Sequence, residues 1–339
     1  MPLKPAVLFD RTEDNKVRCN LCNFLCSISD GAMGHCGVRK NIDGTLYSLV
    51  YDKVCSAADD PIEKKPLFHF EPGSRTFSIA TPGCNFRCDF CQNWQISQQA
   101  LNGTIRGTAV SPQKIVEAAI SSGCTSVAYT YTEPTIFMEL AADTGRLARQ
   151  SGLANVFVSN GYMTKEAIEY CGDFLDGINI DLKAFSDSYY QKFCKAKLQP
   201  VLDTIEHIAK ETDIWMEITT LLVPDENDSD DELKQLVDFI CTAAGPYTPW
   251  HISRFYPQYQ MDDKPPTPTD RLFGAMEIGK AAGLRHIYIG NLPGSNAEST
   301  FCHNCGNMLI ERVGYRILAN NIVRSSCPNC SSKIAGFKI

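Results

Sequence analysis

Residues 81–94, Thr-Pro-Gly-Cys-Asn-Phe-Arg-Cys-Asp-Phe-Cys-Gln-Asn-Trp, carry the densest chemistry in the chain. Cys84, Cys88 and Cys91 stand at spacing C-x3-C-x2-C behind a short apolar run at 77–80. A loop this tight gathers three thiolates around one point, which suits an iron–sulfur cluster or another soft metal. The count of three carries information. A cubane has four irons, so three thiolates leave one iron without a protein ligand. An open coordination position marks a reactive centre, whereas a closed shell marks a structural one. The plain alternative is a zinc knuckle whose fourth ligand comes from elsewhere.

The chain has 16 cysteines in 339 residues, and most fall into three groups with short internal spacings. Thiols stay reduced in cytosol, so this grouping favours metal sites over disulfides. Cys19, Cys22, Cys26 and Cys36 follow C-x2-C-x3-C-x9-C in a glycine-punctuated segment with too little apolar sequence for a core. Such segments fold around a metal. Zinc and a second, auxiliary iron–sulfur cluster both accept four thiolates, and the sequence does not choose between them. Cys302, Cys305, Cys327 and Cys330 form two C-x2-C knuckles joined by strand-like runs at 308–312 and 315–318, a zinc-ribbon layout. The remaining Cys55, Cys124, Cys171, Cys194 and Cys241 read as small apolar packing.

Strand-like runs recur at 77–80, 126–131, 156–159, 178–182, 215–223, 250–255 and 287–289. Helical patterns fall between them at 112–121, 136–150, 165–171, 200–210, 230–243 and 269–282. Ser111-Pro112, and Ser229 ahead of Asp230, Asp231 and Glu232, are helix starts. Apolar strands alternating with amphipathic helices predict parallel βα units with helices outside the sheet. The regular repetition favours an α/β fold of partial (β/α)6-type TIM barrel over a flat doubly wound sheet. The expected layout is a cysteine-rich segment and lead-in at 1–74, the barrel at 75–295, and a zinc-ribbon-like module at 296–339.

Function in a barrel sits at the C-terminal ends of its strands. Polar motifs recur at those ends: Cys84, Thr132-Glu133-Pro134, Ser159-Asn160-Gly161, Asp181-Leu-Lys183, His251-Ile-Ser-Arg254 and Gly290-Asn291. Glu133 precedes the break at Pro134, so its carboxylate either turns inward or lies on a solvated rim. Asp181 and Lys183, two apart, share a strand face. Inside a barrel they must partner each other, because an unpaired buried ion is costly; a purely structural ion pair is the alternative. His251 shares a face with Ser253, and by itself reads equally as a hydrogen-bonded core residue. Arg254 faces the other way and is a secondary candidate. Asn160-Gly161 also reads as a simple turn. The proline-rich 262–268 is expected to be a stiffened substrate-side loop.

C-x3-C-x-aromatic-C, with Phe90 ahead of the last cysteine, resembles the cluster loop of the radical S-adenosylmethionine (SAM) superfamily. The flanks narrow the likeness. Asp60-Pro-Ile-Glu-Lys-Lys-Pro-Leu-Phe-His-Phe70 with Pro72-Gly-Ser74, and Cys91-Gln-Asn-Trp-Gln-Ile-Ser97, resemble the branch related to pyruvate formate-lyase activating enzymes. Within that branch the chain is most similar to the AmmeMemoRadiSam-system radical SAM enzyme, over nearly its whole length. Asn23-Phe24 stands where that family often has Pro-His, which removes a histidine ligand but leaves all four N-terminal cysteines.

The resemblance implies a partial barrel, a [4Fe–4S] cluster on Cys84, Cys88 and Cys91, and SAM chelated at the open iron. It implies cofactor contacts from Phe90, Glu133 (the SAM amino group), Asn160, Asp181 and Lys183, and His251 (the ribose or carboxylate). The implied reaction is oxidoreductase-like: reductive cleavage of SAM to a 5′-deoxyadenosyl radical that abstracts hydrogen from a substrate. Likeness to activating enzymes implies a partner protein as substrate and an external flavodoxin- or ferredoxin-like electron donor. The AmmeMemoRadiSam likeness implies Memo-like and AMMECR-like partners. The competing class is a non-catalytic iron–sulfur and zinc module for electron transfer or protein interaction. Against it stand the three-cysteine count and the polar strand ends.

Composition bounds these readings. Hydrophobic content of 44% is ordinary for a chain that buries a core. A net charge of −7 with mixed signs argues against a nucleic-acid partner, the terminal ribbon included. No apolar run approaches the ~20 residues that span a bilayer, and the first residues lack a signal-peptide layout. A soluble cytoplasmic protein is expected.

Overall fold

The alternating pattern folds into one eight-stranded sheet whose strand order follows the chain. In the computed structural model, which describes residues 3–339, β1 (Ser56–Pro61) pairs antiparallel with β2 (Arg75–Ala80). The sheet then grows in parallel through β3 (Ser126–Tyr129), β4 (Ala154–Ser159), β5 (Gly177–Asp181), β6 (Trp215–Leu222), β7 (Trp250–Arg254) and β8 (Ile287–Gly290). Six helices carry the crossovers that parallel neighbours require. They are α1 (Pro112–Ser121), α2 (Met138–Gln150), α3 (Lys165–Cys171), α4 (Gln199–Glu211), α5 (Asp230–Ala243) and α6 (Thr269–Ala282). Ser111 and Ser229 cap α1 and α5 with their hydroxyls, as the sequence predicts. Lys64, next to β1, and Gly290, at the end of β8, line one cavity, so the sheet curls into a partial barrel.

Strand parity sorts the side chains. Register places Asn179 beside Glu217, Asp181 beside Thr219, and Thr219 beside His251, all on one face. The alternate residues Ile178, Ile180, Ile218 and Leu222 join Val201, Ile205, Leu233 and Leu236 of α4 and α5 in the main apolar core. One face is therefore greasy and covered by helices, and the other is polar and lines the barrel interior.

The antiparallel β1 is not foreseen by the sequence reading, nor is the use made of the stretch that follows it. Residues 62–70 plug the N-terminal end of the barrel. Phe70 lies on Gly177, where a Cβ would stand 2.7 Å from its ring, and stacks on Phe337 with centroids 4.3 Å apart. Glycine at 177 is thus required by close approach. Two further departures matter locally. The second helix begins with a 3-10 turn at Pro134–Phe137, and Tyr190–Cys194 is a π-helix that ends with Lys195 in left-handed backbone.

The terminal regions attach through buried charge. The N-terminal region forms two small sheets, one from Lys4–Pro5, Arg39–Ile42 and Thr45–Ser48, the other from Phe9–Arg11, Val17–Cys19 and Ser27–Ile28. Arg39 meets Glu139 of α2 at 2.9 Å with both side chains buried, and Glu139 also accepts the Val7 N–H at 2.8 Å. The C-terminal sheet is β9 (Thr300–Phe301), β10 (Met308–Val313) and β11 (Arg316–Asn320). From it, buried Arg312 donates to the Phe68 carbonyl at 2.8 Å. Among the described residues no helix is long and apolar enough to cross a membrane.

Removing one partner of a buried ion pair strands the other. Glu139→Ala is expected to cost about 3–5 kcal/mol in chemical denaturation, with Glu139→Gln losing less. A cost near zero would show that the N-terminal sheets are not fastened to the barrel at this point.

Candidate active site

The loop that leaves β2 is held from both sides. Its Arg87 and Asp89 amides donate to the carbonyls of Cys194 and Phe193 at 3.1 and 2.9 Å, so the π-helical turn serves as its seat. Gly83 turns the chain at φ +100°, and a Cβ there would lie 2.7 Å from Val38. Cys84, Cys88 and Cys91 consequently open on a single cavity of about 520 Å³. Phe90, Glu133, Asn160, Asp181, Lys183 and His251 line the same cavity. The residues expected to contact the cofactor all line it, and the secondary candidate Arg254 does not.

The three thiols sit in conflicting surroundings. Burial pushes the Cys84 and Cys91 thiols up, and a hydrogen bond with Cys194, reinforced by burial, does so for Cys88. Yet the Phe86 N–H points at the Cys84 sulfur at 3.3 Å and the Ser97 hydroxyl lies 3.2 Å from that of Cys91. Donors to sulfur favour the thiolate while burial opposes it. A cationic cluster bound to the three sulfurs removes the conflict, because a coordinating thiol is deprotonated outright. The site fits such a group. Cys194, read from the sequence as packing, is fully buried against Cys88. No spacing signal could have paired positions so far apart.

Glu133 is buried, lines the cavity and accepts from four donors of the chain, three at Oε1 and one at Oε2. Thr135 donates from N–H and hydroxyl at 3.1 and 2.6 Å, Ser159 at 2.8 Å, and the Asn160 N–H at 2.8 Å. The glutamate therefore fixes Asn160. In turn Asn160 Nδ2 donates to Asn85 Oδ1 at 2.7 Å and lies 3.9 Å from the Cys84 sulfur. Lys183 Nζ pairs with Asp181 at 2.9 Å and stands 5.7 Å from the Phe90 ring centroid. Burial works against its ammonium, but Asp181 and the neighbouring thiols outweigh it and hold the pKa well above the ordinary value.

His251 directs Nε2 at Glu217 across 2.7 Å. Glu217 is fully buried and also accepts the Phe68 and His69 amides at 3.0 and 2.8 Å and the Trp215 indole at 3.0 Å. Sequence reasoning passed over it. Its signal was an acidic residue at the inward parity of a strand, two positions before Thr219 on the same face. Arg254, by contrast, donates to the Thr267 carbonyl at 2.9 Å, which ties down the proline-rich 262–268.

The Asp60-to-Phe70 motif supplies the opposite wall. Asp60 accepts from Lys64 at 2.8 Å, Lys65 at 2.6 Å, Ser78 at 2.9 Å and the Tyr131 hydroxyl. Burial brings the Lys65 ammonium down to about 8 despite its bond to Asp60. Both lysines and Tyr131 line the same cavity as the cysteines.

The outer quartets differ. Cys302, Cys305, Cys327 and Cys330 have all four sulfurs within 4.8 Å of one another, with Cys302–Cys330 at 3.5 Å and Cys305–Cys327 at 3.7 Å. A tetrahedron with ~2.3 Å metal–sulfur bonds has edges of about 3.8 Å, so a single ion fits. Hydrogen bonds from Ser332 bring the Cys330 thiol down to about 5. In the N-terminal quartet, Cys19 is the electrostatic neighbour of Cys22, Cys26 and Cys36, and the His35 N–H donates to Cys26 sulfur at 3.5 Å.

Residues 78–240 match the family model described as the radical SAM superfamily. The chain is 45% identical to an uncharacterised protein of Methanocaldococcus jannaschii over 98% of its own length and 99% of the relative's. It is 26% identical to a pyruvate formate-lyase-activating enzyme of Listeria monocytogenes, covering 56% of this chain and 80% of that one. Its fold is similar to a crystal structure of a radical SAM methyltransferase from Sphaerobacter thermophilus, with a TM-score of 0.51 at 14% identity, covering 70% and 71% of the two chains.

Glu217→Ala leaves three protein donors and His251 without their acceptor. Each buried unmatched donor costs about 1–3 kcal/mol, so a large loss in denaturant midpoint is expected. A stability equal to wild type would show that Glu217 does not hold the plug.

Proposed function

We propose that this chain, which belongs to the radical SAM superfamily, reductively cleaves SAM and draws hydrogen from a substrate in the manner of an activating enzyme. The observation that supports this best is the convergence of Cys84, Cys88 and Cys91 with Asn160, Lys183 and His251 on one cavity. When bound, a [4Fe–4S] cluster and SAM supply the 5′-deoxyadenosyl radical. Cys84, Cys88 and Cys91 would hold the cluster, and their count of three would leave it a position for the cofactor. Lys183, steered by Asp181, offers an ammonium to a carboxylate in the cavity. Asn160 braces the cluster loop through Asn85, and Glu133 acts by positioning Asn160. His251 commits Nε2 to Glu217 and keeps Nδ1 for a ligand, while Phe90 helps to exclude water.

The same reading takes residues 1–74 and 296–339 as metal-bearing appendages to a catalytic barrel at 75–295. Zinc is the proposed occupant of Cys302, Cys305, Cys327 and Cys330, whose sulfur spacing suits it. The substrate is proposed to be a partner protein, with Memo-like and AMMECR-like proteins as associates, and reduction to come from a flavodoxin- or ferredoxin-like donor in the cytoplasm. Lys64 and Lys65 on the far wall would meet an acidic group of whatever occupies that half of the cavity.

Anaerobic reconstitution, followed by SAM and dithionite, is expected to yield 5′-deoxyadenosine, and Cys88→Ala to yield none. Lys183→Ala is expected to weaken SAM binding about tenfold or more while iron is retained, the loss associated with one charge-assisted hydrogen bond. A fully iron-loaded protein that binds SAM but produces no 5′-deoxyadenosine overturns the proposal. Metal analysis of Cys327→Ala is expected to show the loss of one zinc per chain and no iron.

A further inference from the structure

Lys64 and Lys65 bring more hydrogen-bond donors to the cavity than the chain supplies acceptors for. Asp60 accepts from Lys64 at 2.8 Å and from Lys65 at 2.6 Å, and its other bonds come from the Ser78 hydroxyl at 2.9 Å and the Tyr131 hydroxyl. With four donors on its two oxygens, Asp60 is filled. Each ammonium has three N–H bonds and spends one on Asp60. Among the described residues no other acceptor bonds either of them, although the Tyr131 ring centroid lies 4.4 Å from Lys65 Nζ. Lys65 is only 1% exposed, and a donor buried so deeply is costly without an acceptor. Two ammoniums on one carboxylate also leave a positive charge in excess.

The acids that line the cavity each have a donor of their own. Glu133 and Asp181 are engaged as described above. Glu63 accepts the Gly73 N–H at 2.9 Å and lies 3.6 Å from buried Arg312, while Glu298 accepts the Gly314 N–H at 2.8 Å. Ser78 sets the depth of the lysine pair. It lies within β2, whereas the cysteines stand beyond that strand's end at Ala80. The pair therefore sits inside the barrel, below the rim that carries Lys183. Tyr131 links the two levels, with its carbonyl bonded by Asn93 Nδ2 of the catalytic loop at 2.8 Å and its hydroxyl by Asp60. Its backbone is left-handed at φ +63°, a conformation that a tyrosine keeps only where its surroundings fix it.

We propose that Lys64 and Lys65 seat an anionic group of the substrate, a carboxylate or a phosphate, so that whatever loses hydrogen is an acid held by its charge beneath SAM. The inference rests on the proposed reading of the cavity for the word substrate, while the seat itself needs neither cluster nor SAM. Both lysines lie outside residues 78–240, so the family match assigns them no role. No covalent bond forms or breaks at the seat. Burial brings the Lys65 ammonium down to about 8 against the pull of Asp60, so its hold on an anion fades above that pH. The groups around it are Asp60, Lys64 and Tyr131, with Glu63, Glu298 and Tyr315 lining the same cavity.

Titration calorimetry on the anaerobically reconstituted, SAM-loaded full chain is expected to show binding of succinate and of inorganic phosphate, and none of uncharged succinamide. Lys64→Ala and Lys65→Gln should each weaken succinate about tenfold or more, the scale of one charge-assisted hydrogen bond, with iron content and SAM affinity unchanged. Lys64 is partly exposed, so its truncation keeps the test open should Lys65→Gln fail to fold. The wild-type affinity for succinate should fall as pH rises from 7 to 9, and that of Lys65→Gln should stay level. Binding of neither anion, equal binding of succinamide, or unchanged affinity in both variants overturns the seat. So does succinate that binds only without SAM and is lost in Lys183→Ala, because it then occupies the place of the cofactor's carboxylate. A blocked peptide with one internal glutamate separates the sources: binding as tight as that of succinate identifies an acidic side chain of a protein, and no binding identifies a small acid. Failure of the reconstituted chain to take up SAM overturns the catalytic reading, and the same titration without SAM then judges the seat alone.

Discussion

A single buried carboxylate holds the architecture in register. Glu217 gathers two backbone amides of the plug, an indole from its own strand and an imidazole from the next strand. A carboxylate at zero exposure is tolerated only when its acceptor positions are matched, and here the chain matches them. The consequence runs both ways along the barrel axis. Below, the plug at 62–70 is fastened inside the curled sheet. Above, His251 is held at the cavity wall, where a free imidazole would rotate.

Other charges in the barrel and beside it are paired in the same way. Asp181 holds Lys183, Glu139 holds Arg39, and Asp60 holds Lys65. Such pairs contribute little net stability compared with apolar packing, but breaking one leaves a costly remainder. They therefore fix geometry more than they add free energy. Glu139 with Arg39 joins elements far apart in sequence, the N-terminal sheets and α2, whereas the other two tie a strand to the segment that directly follows it. The catalytic loop borrows this rigidity through Glu133, Asn160 and Asn85, a chain of hydrogen bonds that ends beside Cys84.

The cysteine groups show how one residue type serves different chemistry through its surroundings. In the C-terminal ribbon the sulfurs converge to the edge lengths of a tetrahedron, and Ser332 and Asn329 stabilise thiolates at an exposed site. Around the barrel mouth the thiols are partly exposed and face a cavity large enough to admit a ligand. The N-terminal group has two buried and two partly exposed cysteines and is tied to the catalytic loop through Arg87 and the His35 carbonyl.

The sequence by itself determined the βα succession, since the period-2 and helical patterns are local and the caps at Ser111 and Ser229 lie beside what they cap. It also determined the cysteine groups, because short spacing constrains a loop whatever surrounds it. The strand-end residues from Glu133 to His251 were legible for a related reason: a parallel barrel delivers every strand end to the same rim. What only the tertiary structure decided are contacts between distant segments. Glu217 was hidden within its strand until parity and neighbours showed its face. Cys194 looked like packing until a π-helical turn brought it to Cys88. The Asp60-to-Phe70 motif gave no sign that it is a plug, because its partners, Gly177, Glu217 and Phe337, lie more than a hundred residues away. Spacing encodes what a few residues can do together, whereas long-range pairing is fixed only when the sheet closes around them.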